Sequence, residues 1–321
     1  MFDGGVDSRA GRHGVCQTAE MTSTEVSPEF TAIVEMLRSM MLADASTTIF
    51  DRRALLEIQV DAPEGTSVER VDAGGVPAEW IVAPGASTTR AVLHLHGGAF
   101  TAGGVGSHRG FASALSAAAG CAVLLVDYRL APESPFPAAL DDAVAAYGWL
   151  IGPGRGLDAS AVIVSGDSAG GGLAASLLVD LRDGGTALPG GAVLLSPWTD
   201  LALSGASHSE MDGRDPMCST ATLQQSVDAY LPAGADATDP RASPLYADLA
   251  GLPPLLIHAG EVEVLRDDSV LFAGRATAAG VDVELLVAPD MVHVWHMFAG
   301  MVPESTRSLD DVATWIAAHQ Q

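Results

Sequence analysis

Residues 162–172 read VIVSGDSAGGG. A short run of β-branched residues ends in a turn of small residues with Ser168 at its centre, and a segment with helical character follows. This is the Gly-x-Ser-x-Gly pattern in a strand–turn–helix setting. We expect a positive φ at Ser168, with Gly166 and Gly170 beside it because Cβ atoms there would collide across the turn. The pattern predicts that the serine hydroxyl is held above the end of a sheet, next to the Ala169 N–H at a helix N-terminus, which favours an oxyanion.

The charge and composition of the chain exclude several functions. The net charge of −24 argues against nucleic acid and anionic membranes as partners, since both require a basic surface. The 321 residues include no lysine, which excludes Schiff-base chemistry, a lysine-bound pyridoxal cofactor and a Walker lysine. We therefore expect no cofactor. No apolar run approaches the length of a membrane-spanning helix, so we also expect no stable membrane insertion.

The cysteines and the N-terminal region bear on the compartment. Cys16, Cys121 and Cys218 are widely separated and form no Cys-x-x-Cys pair, and no apolar block follows the N-terminal arginines. These features favour a cytoplasmic location. We expect residues 1–20 to be a disordered polar leader and residues 21–321 to be a single domain, with a homodimer as a candidate assembly.

Strands and helices alternate from residue 90 onward. The predicted strands are 91–96, 122–127, 161–165, 192–196, 254–259 and 283–287, and the predicted helices are 107–119, 138–150, 169–182, 267–279 and 305–319. This alternation of apolar strands with helices predicts an α/β fold with a mostly parallel sheet and helices on both faces. Before it, an amphipathic helix is expected at 29–42, and antiparallel strands at 55–60, 68–71 and 78–82.

A serine nucleophile requires a base, and the base requires an orienting carboxylate. In a parallel sheet these groups come from loops at the carboxyl ends of strands. His293 follows the predicted strand 283–287 and is the expected base, with His296 as the alternative. Glu263 follows the strand 254–259 and is the expected acid.

Three other carboxylates compete for the role of the acid. Asp267 is the next candidate, although Asp267 and Asp268 are expected to open the following helix, where they would interact with its dipole. Glu261 precedes the turn and is expected to be exposed to solvent. The order serine, acid, histidine along the chain is the α/β-hydrolase order.

The strand 91–96 ends in His-Gly-Gly, which suits an oxyanion hole. Gly97 and Gly98 are expected to donate their N–H groups beside Ala169, because glycines let the backbone approach the substrate oxygen. The same histidines suggest a metal site as an alternative, through His-x-His at 94–96 and His-x-x-His at 293–296. No acidic residue follows His96 at close spacing, so we expect no metal.

Several motifs together resemble the hormone-sensitive lipase family of carboxylesterases over about residues 80–320. They are HGG at 96–98, DYRLAPESPFPAA at 127–139, GDSAGG at 166–171, SPWTD at 196–200, SPL at 243–245 and LPP at 252–254. The resemblance implies an α/β-hydrolase fold with a small helical cap, here about 25–50 and 199–235. It also implies the triad Ser168, Glu263 and His293. The chain departs from the family pattern in having Ala99 as the third residue after His96 and glutamate rather than aspartate as the acid.

The expected function is that of a serine carboxylesterase that hydrolyses small-molecule esters with short-to-medium acyl groups, including lactones, through an acyl-enzyme. The substrate pocket is expected to include the side chains of Met36, Met40, Phe100, Asp167 and Trp198. Two alternatives remain open at this point, an amide or peptide hydrolase on the same fold and a non-catalytic binding protein with a hydrolase scaffold.

Overall fold

The computed structural model of the protein describes residues 26–321, so the predicted leader and Cys16 lie outside it. Its strands are β1 (Ser67–Asp72), β2 (Pro77–Val82), β3 (Ser87–Leu95), β4 (Cys121–Val126), β5 (Val162–Asp167), β6 (Gly191–Leu195), β7 (Leu255–Val262) and β8 (Val283–Val292). They form one sheet in the order β1-β2-β4-β3-β5-β6-β7-β8. The pairs that involve β1 and β2 are antiparallel and the others are parallel, which confirms the predicted sheet.

Helices cover both faces of this sheet. They are α1 (Pro28–Ser39), α2 (Ile49–Leu56), α3 (Val105–Ala119), α4 (Ala138–Ile151), α5 (Ala169–Asp183), α6 (Ser207–Glu210), α7 (Thr220–Tyr230), α8 (Arg266–Ala278) and α9 (Pro303–His319). Among residues 26–321, no helix is long and apolar enough to cross a membrane.

The apolar side chains of the sheet pack into two layers, one on each face. Phe111 and Leu115 of α3 and Ile316 of α9 pack on one face, while Leu140 of α4 and Leu177 of α5 pack on the other. All six residues of β4 are buried as a result. This double burial is why the central strands are apolar throughout rather than alternating.

The predicted strand at 55–60 is wrong, because a helix occupies its beginning. The Thr48 hydroxyl accepts the Asp51 N–H at 3.2 Å, and the Asp51 carboxylate accepts the Thr48 N–H at 3.0 Å. This capping box starts α2, which continues through Leu56. The chain then runs without regular structure, and the Val60 N–H bonds the Gly106 carbonyl at 3.0 Å.

Three helices, α1, α6 and α7, lie in the segments that the sequence assigned to a cap, and α2 begins where the first of these segments ends. The Arg52 guanidinium of α2 donates to the Thr222 carbonyl at 3.4 Å and to the Gln225 side chain at 3.1 Å, and so links α2 to α7. Phe30 and Leu37 of α1 pack against residues of β8 and of the segment that follows it. The N-terminal segment and the insertion after β6 therefore meet over the carboxyl end of the sheet.

Helix α5 starts so close to β3 that one of its positions has no room for a side chain. A Cβ at Gly170 would overlap the Leu95 and His96 carbonyl oxygens. We expect Gly170→Ala to destabilise the fold by about 1–3 kcal/mol, the usual cost of overpacking. As a matched control, Gly148→Ala adds a methyl group on an exposed part of α4 with no atom within 4 Å, and should stabilise by about 0.5–1 kcal/mol. Urea denaturation measures both effects, and equal changes would contradict the packing argument.

Candidate active site

Ser168 occupies the turn between β5 and α5. Its φ of 53° and ψ of −122° confirm the predicted positive φ, which L-residues adopt only under constraint. The Ser168 N–H donates to the Leu195 carbonyl at 2.8 Å, which ties the turn to β6. Helix α5 begins at the next residue, Ala169. The strained turn therefore fixes the serine at the carboxyl end of the central strands.

Glu263 and His293 come together through strand pairing. Strand β7 ends at Val262 and β8 ends at Val292, and these two residues are paired in the register of the sheet after a local irregularity. Glu263 and His293 are the next residues of the two strands. Adjacent parallel strands therefore deliver both side chains to the same edge of the sheet.

The three side chains form one hydrogen-bonded chain. The Ser168 hydroxyl lies 2.9 Å from His293 Nε2, and His293 Nδ1 lies 3.0 Å from Glu263 Oε2. Neutral His293 with its proton on Nδ1 accepts from the serine and donates to the carboxylate. Each of the three residues is at most 8% exposed. This arrangement lets the imidazole take a proton from the serine while the carboxylate stabilises the imidazolium.

The surroundings of His293 favour its charged form. Burial acts to lower the pKa of this imidazole, but the Cys218 sulfur and the Glu263 carboxylate next to it raise that pKa well above its ordinary value. The carboxylate is the dominant favourable partner, because burial raises the pKa of Cys218 and keeps it a neutral thiol. The imidazolium formed during proton transfer is thus stabilised.

The loop after β3 provides amides for an oxyanion, and these differ in part from the predicted set. The Gly97 N–H donates to Asp167 Oδ1 at 3.0 Å, so this amide is occupied, contrary to the prediction for Gly97. Within residues 26–321, the amides of Gly98, Ala99 and Ala169 donate to no protein acceptor. Gly98 and Ala99 have φ of 121° and 54°. These left-handed conformations turn the loop. The sequence had marked Ala99 only as a departure from the family pattern, not as a donor.

Asp167 holds this loop in place and does not line the cavity beside Ser168, which corrects its predicted place in the substrate pocket. Its carboxylate lies 3.3 Å from His94 Nε2 and 3.5 Å from His108 Nε2, in addition to the Gly97 amide. Burial alone would raise the pKa of Asp167, but His108 and His94 hold it well below its usual range. The charged carboxylate therefore links the end of β5 to the oxyanion loop and to α3.

A mainly apolar cavity of about 240 Å³ opens onto Ser168 and His293. Its walls are formed by α1, the residue that caps α1 and the insertion after β6, and they include Met36, Leu37, Met40, Met217, Cys218 and Leu223. The sequence singled out Met36 and Met40, but not Met217 or Cys218. No periodic pattern marks those two residues, which lie in an irregular segment before α7.

Phe100 and Trp198 do not line this cavity, which corrects the prediction for both. Phe100 is 2% exposed and stacks on Tyr230 with ring centroids 3.9 Å apart. Trp198 is 1% exposed, and its indole N–H donates to the Asp200 carbonyl at 3.1 Å. Both aromatic side chains are therefore buried packing residues rather than parts of the cavity wall.

Comparisons with known proteins identify the family of the chain. A family model described as the alpha/beta hydrolase fold matches residues 92–297. An acetyl-hydrolase of Streptomyces hygroscopicus is 48% identical over 240 residues, which cover 75% of this chain and 79% of the relative. A crystal structure of an esterase from the bacterial hormone-sensitive lipase family superposes with a TM-score of 0.87 at 42% identity, over 93% of this chain and 100% of that one. The chain belongs to the hormone-sensitive lipase family of α/β-hydrolase esterases.

A second structural relative of this esterase is EstE5, in a crystal that was soaked with p-nitrophenyl butyrate. It is 40% identical, with a TM-score of 0.86, over 92% of this chain and 99% of that one.

The alternative base, His296, is turned away from the serine of the esterase. Its Nε2 lies 3.3 Å from His258 Nδ1, and its ring lies against Trp295 at 3.8 Å between centroids. Burial lowers the pKa of His296 well below the ordinary value. His296 is therefore a neutral core residue.

Two of the competing carboxylates have other partners. Asp267 accepts the Ser207 N–H at 3.0 Å and pairs with Arg266 at the start of α8. Glu261 is exposed, as predicted, and accepts the Asp290 N–H at 3.1 Å. Neither carboxylate contacts the histidine of the site.

Asp268 is buried, and its carboxylate accepts hydrogen bonds from the loop after β6. It accepts the N–H groups of Thr199 at 2.9 Å and Asp200 at 2.8 Å, and lies 3.3 Å from His208 Nε2. Burial raises the pKa of Asp268 to about 6. Its hydrogen bonds are structural.

The histidines of the metal alternative also have separate partners. His96 stacks on Tyr128 with centroids 4.1 Å apart, and its Nδ1 lies 2.7 Å from the Gly97 carbonyl, while His94 faces Asp167. In the described part of the chain, no three His, Cys, Asp or Glu side chains are grouped to hold a metal ion.

The contact between Glu263 and His293 gives a direct test of the acid. Glu263→Gln keeps the shape but removes the charge, so kcat should fall by roughly 10³–10⁴. The acidic limb of the kcat/KM profile, which reports deprotonation of free His293, should move to lower pH because the imidazolium loses its partner. Asp267→Asn is the matched control and should stay within about tenfold of wild type. If Asp267→Asn lost its activity and Glu263→Gln kept it, Asp267 rather than Glu263 would be the acid.

Proposed function

We propose that this esterase hydrolyses short-to-medium acyl esters through an acyl-enzyme on Ser168, with His293 as the base and Glu263 as the orienting acid. The observation that carries the proposal is the continuous chain from the Ser168 hydroxyl through both ring nitrogens of His293 to the buried Glu263 carboxylate, at 2.9 and 3.0 Å. A serine without such partners is a weak nucleophile at neutral pH.

The reaction follows from the positions of the three groups. His293 Nε2 takes the hydroxyl proton as Ser168 Oγ attacks the ester carbonyl, and the carbonyl oxygen becomes an oxyanion. The imidazolium then gives its proton to the leaving alcohol, and the acyl group stays on the serine. Water next attacks the acyl-enzyme with His293 again as the base, which releases the acid and restores the serine.

The oxyanion would be held by the N–H groups of Gly98, Ala99 and Ala169. These amides have no protein acceptor within residues 26–321, and Ala169 lies at the N-terminus of α5. Each such donor contributes about 2.7–4 kcal/mol in the transition state. The charged Asp167 supports this role indirectly, because it orients the loop through the Gly97 amide.

The preference for modest acyl groups is supported by the apolar cavity of about 240 Å³. Methionine side chains from α1 and the insertion adapt their shape to an apolar chain. The relative named acetyl-hydrolase and the EstE5 crystal soaked with p-nitrophenyl butyrate agree with short acyl groups. Lactones are cyclic esters and would react by the same steps.

Two rival functions differ in measurable ways. An amide hydrolase would turn over an anilide at a rate comparable to that of the matched ester, whereas we expect the ester alone to react rapidly. A non-catalytic binding protein would bind esters without turnover, and the intact hydrogen-bonded chain from Ser168 to Glu263 argues against it. The cytoplasmic location and the homodimer remain predictions.

The nucleophile is tested by substitution and by labelling. Ser168→Ala should lower kcat by about 10⁴-fold or more, with folding unchanged, because no other hydroxyl is bonded to His293 Nε2 in the described structure. Ser176→Ala, which removes a buried hydroxyl within α5, is the control and should retain activity within a few-fold. An organophosphate should modify Ser168, and mass spectrometry that finds the adduct on another residue would refute the assignment.

Acyl-chain preference is tested with p-nitrophenyl esters of increasing length. Each methylene that fits the cavity adds about 0.8 kcal/mol, roughly fourfold in kcat/KM, until the cavity is full. We expect a maximum at butyrate to octanoate and a decline toward palmitate. Faster turnover of emulsified triolein than of a butyrate ester would contradict this preference.

A further inference from the structure

Asp215 is a buried carboxylate in the insertion between α6 and α7, and nothing in the mechanism above uses it. The residue is 3% exposed, although it lies in a segment that the sequence marks only as polar. A buried ionised carboxylate is costly unless hydrogen bonds satisfy it. Its partners therefore indicate what it does.

The two oxygens of Asp215 bind two different parts of the active site. Oδ1 accepts the N–H groups of Met217 at 2.8 Å and Cys218 at 3.1 Å, and both of these residues line the substrate cavity. Oδ2 accepts the N–H of Val264 at 3.0 Å, and Val264 directly follows Glu263. One side chain thus connects the cavity wall to the loop that carries the acid.

The position of Glu263 depends on this loop. Glu263 contacts His293 through Oε2 alone, and Oε1 has no hydrogen-bond partner among the described residues. The backbone next to it must therefore fix the direction of the carboxylate, and the nearest side-chain anchor on that backbone is the bond from the Val264 N–H to Asp215.

In all three hydrogen bonds, a backbone N–H donates and an oxygen of Asp215 accepts. Charged and titratable groups that act on it come from three places: His293 after β8, Glu263 after β7, and Cys218 on its own segment. Burial raises the pKa of Asp215 to about 6, while the nearby His293 acts to lower that pKa. Above that pH the carboxylate is charged, accepts from all three amides, and adds a second negative charge near the imidazole.

We propose that Asp215 is a positioning residue for catalysis. It holds the loop that carries Glu263 and the cavity wall at Met217 and Cys218 in a fixed relative position, so that the Glu263 carboxylate stays hydrogen-bonded to His293 Nδ1. This inference rests on the proposed function of Ser168, His293 and Glu263. It predicts a change in kcat and in the titration of His293, and a purely structural carboxylate would change neither.

Asp215→Asn is the informative substitution. Its amide places an NH₂ group where an oxygen now accepts a backbone N–H, so one contact becomes repulsive. We expect kcat for p-nitrophenyl butyrate to fall by about 10–100-fold, the effect of a displacement near 1 Å at a reacting group. The acidic limb of kcat/KM should move to lower pH, because the imidazolium loses a nearby charge and a well-placed partner.

Asp268→Asn is the matched control. Asp268 is equally buried and also accepts two backbone N–H groups, from Thr199 and Asp200, but it contacts no member of the triad. Both variants should lower Tm. Only Asp215→Asn should change kcat by tenfold or more and shift the acidic limb.

A double variant separates action through Glu263 from general damage. Since Glu263→Gln already abolishes the contribution of the acid, adding Asp215→Asn should lower kcat by less than about threefold further. Independent effects would instead multiply. Full multiplication in the double variant would overturn the proposal.

Two further arms keep the test decisive. If Asp215→Asn does not fold, Asp215→Glu retains the charge but moves its oxygens by one methylene, and kcat should still fall by at least about fivefold. The proposal would be overturned if either folded variant kept the kcat and the acidic limb of wild type while its Tm fell as much as that of Asp268→Asn. Ser168→Ala is assayed in parallel, and if it remains active, the proposed function itself fails. If Ser168→Ala is inactive but the Asp215 variants have unchanged kcat and an unchanged acidic limb, only this inference is rejected.

Discussion

The pairing of β7 with β8 up to Val262 and Val292 is the constraint on which the site depends. It delivers Glu263 and His293 to the same edge, and the strained turn at Ser168 supplies the third group from β5. Backbone hydrogen bonds of the sheet hold these positions, so the reacting groups need little further ordering when substrate binds. The distance of 3.0 Å between His293 and Glu263 follows from the register of two strands and the loop that Asp215 anchors.

Buried carboxylates do much of the positioning around this edge. Asp167 holds the oxyanion loop, Asp215 holds the acid loop and the cavity wall, and Asp268 holds the loop after β6. Each accepts at least one backbone N–H group, and such hydrogen bonds offset the cost of burying a charge inside a protein. Because backbone amides are the partners, these acids fix the path of the chain itself.

Two sets of residues surround the cavity, and we expect them to affect the proposed reaction differently. The strand ends carry the proposed catalytic groups, whereas the segment 36–40 and the insertion after β6 supply Met36, Met40, Met217 and Cys218 to the walls. Substitutions in the walls are therefore expected to alter which acyl group reacts, while those at strand ends alter the rate for every ester. Asp215 belongs to both regions, since it contacts the wall and the acid loop.

The sequence by itself determined the parallel part of the sheet and the strained turn at Ser168, and it favoured His293 and Glu263 over their alternatives. Hydrophobic periodicity and glycine spacing depend on residues close together in the chain, and the order serine, acid, histidine is read directly from it. Only the tertiary structure decided that the Gly97 amide is occupied by Asp167, that the Ala99 amide has no acceptor among residues 26–321, and that Phe100 and Trp198 are buried away from the cavity walls. The bond from Asp215 to Val264 joins residues 49 positions apart. Such contacts are set by how loops fold over the sheet, and no local pattern encodes them.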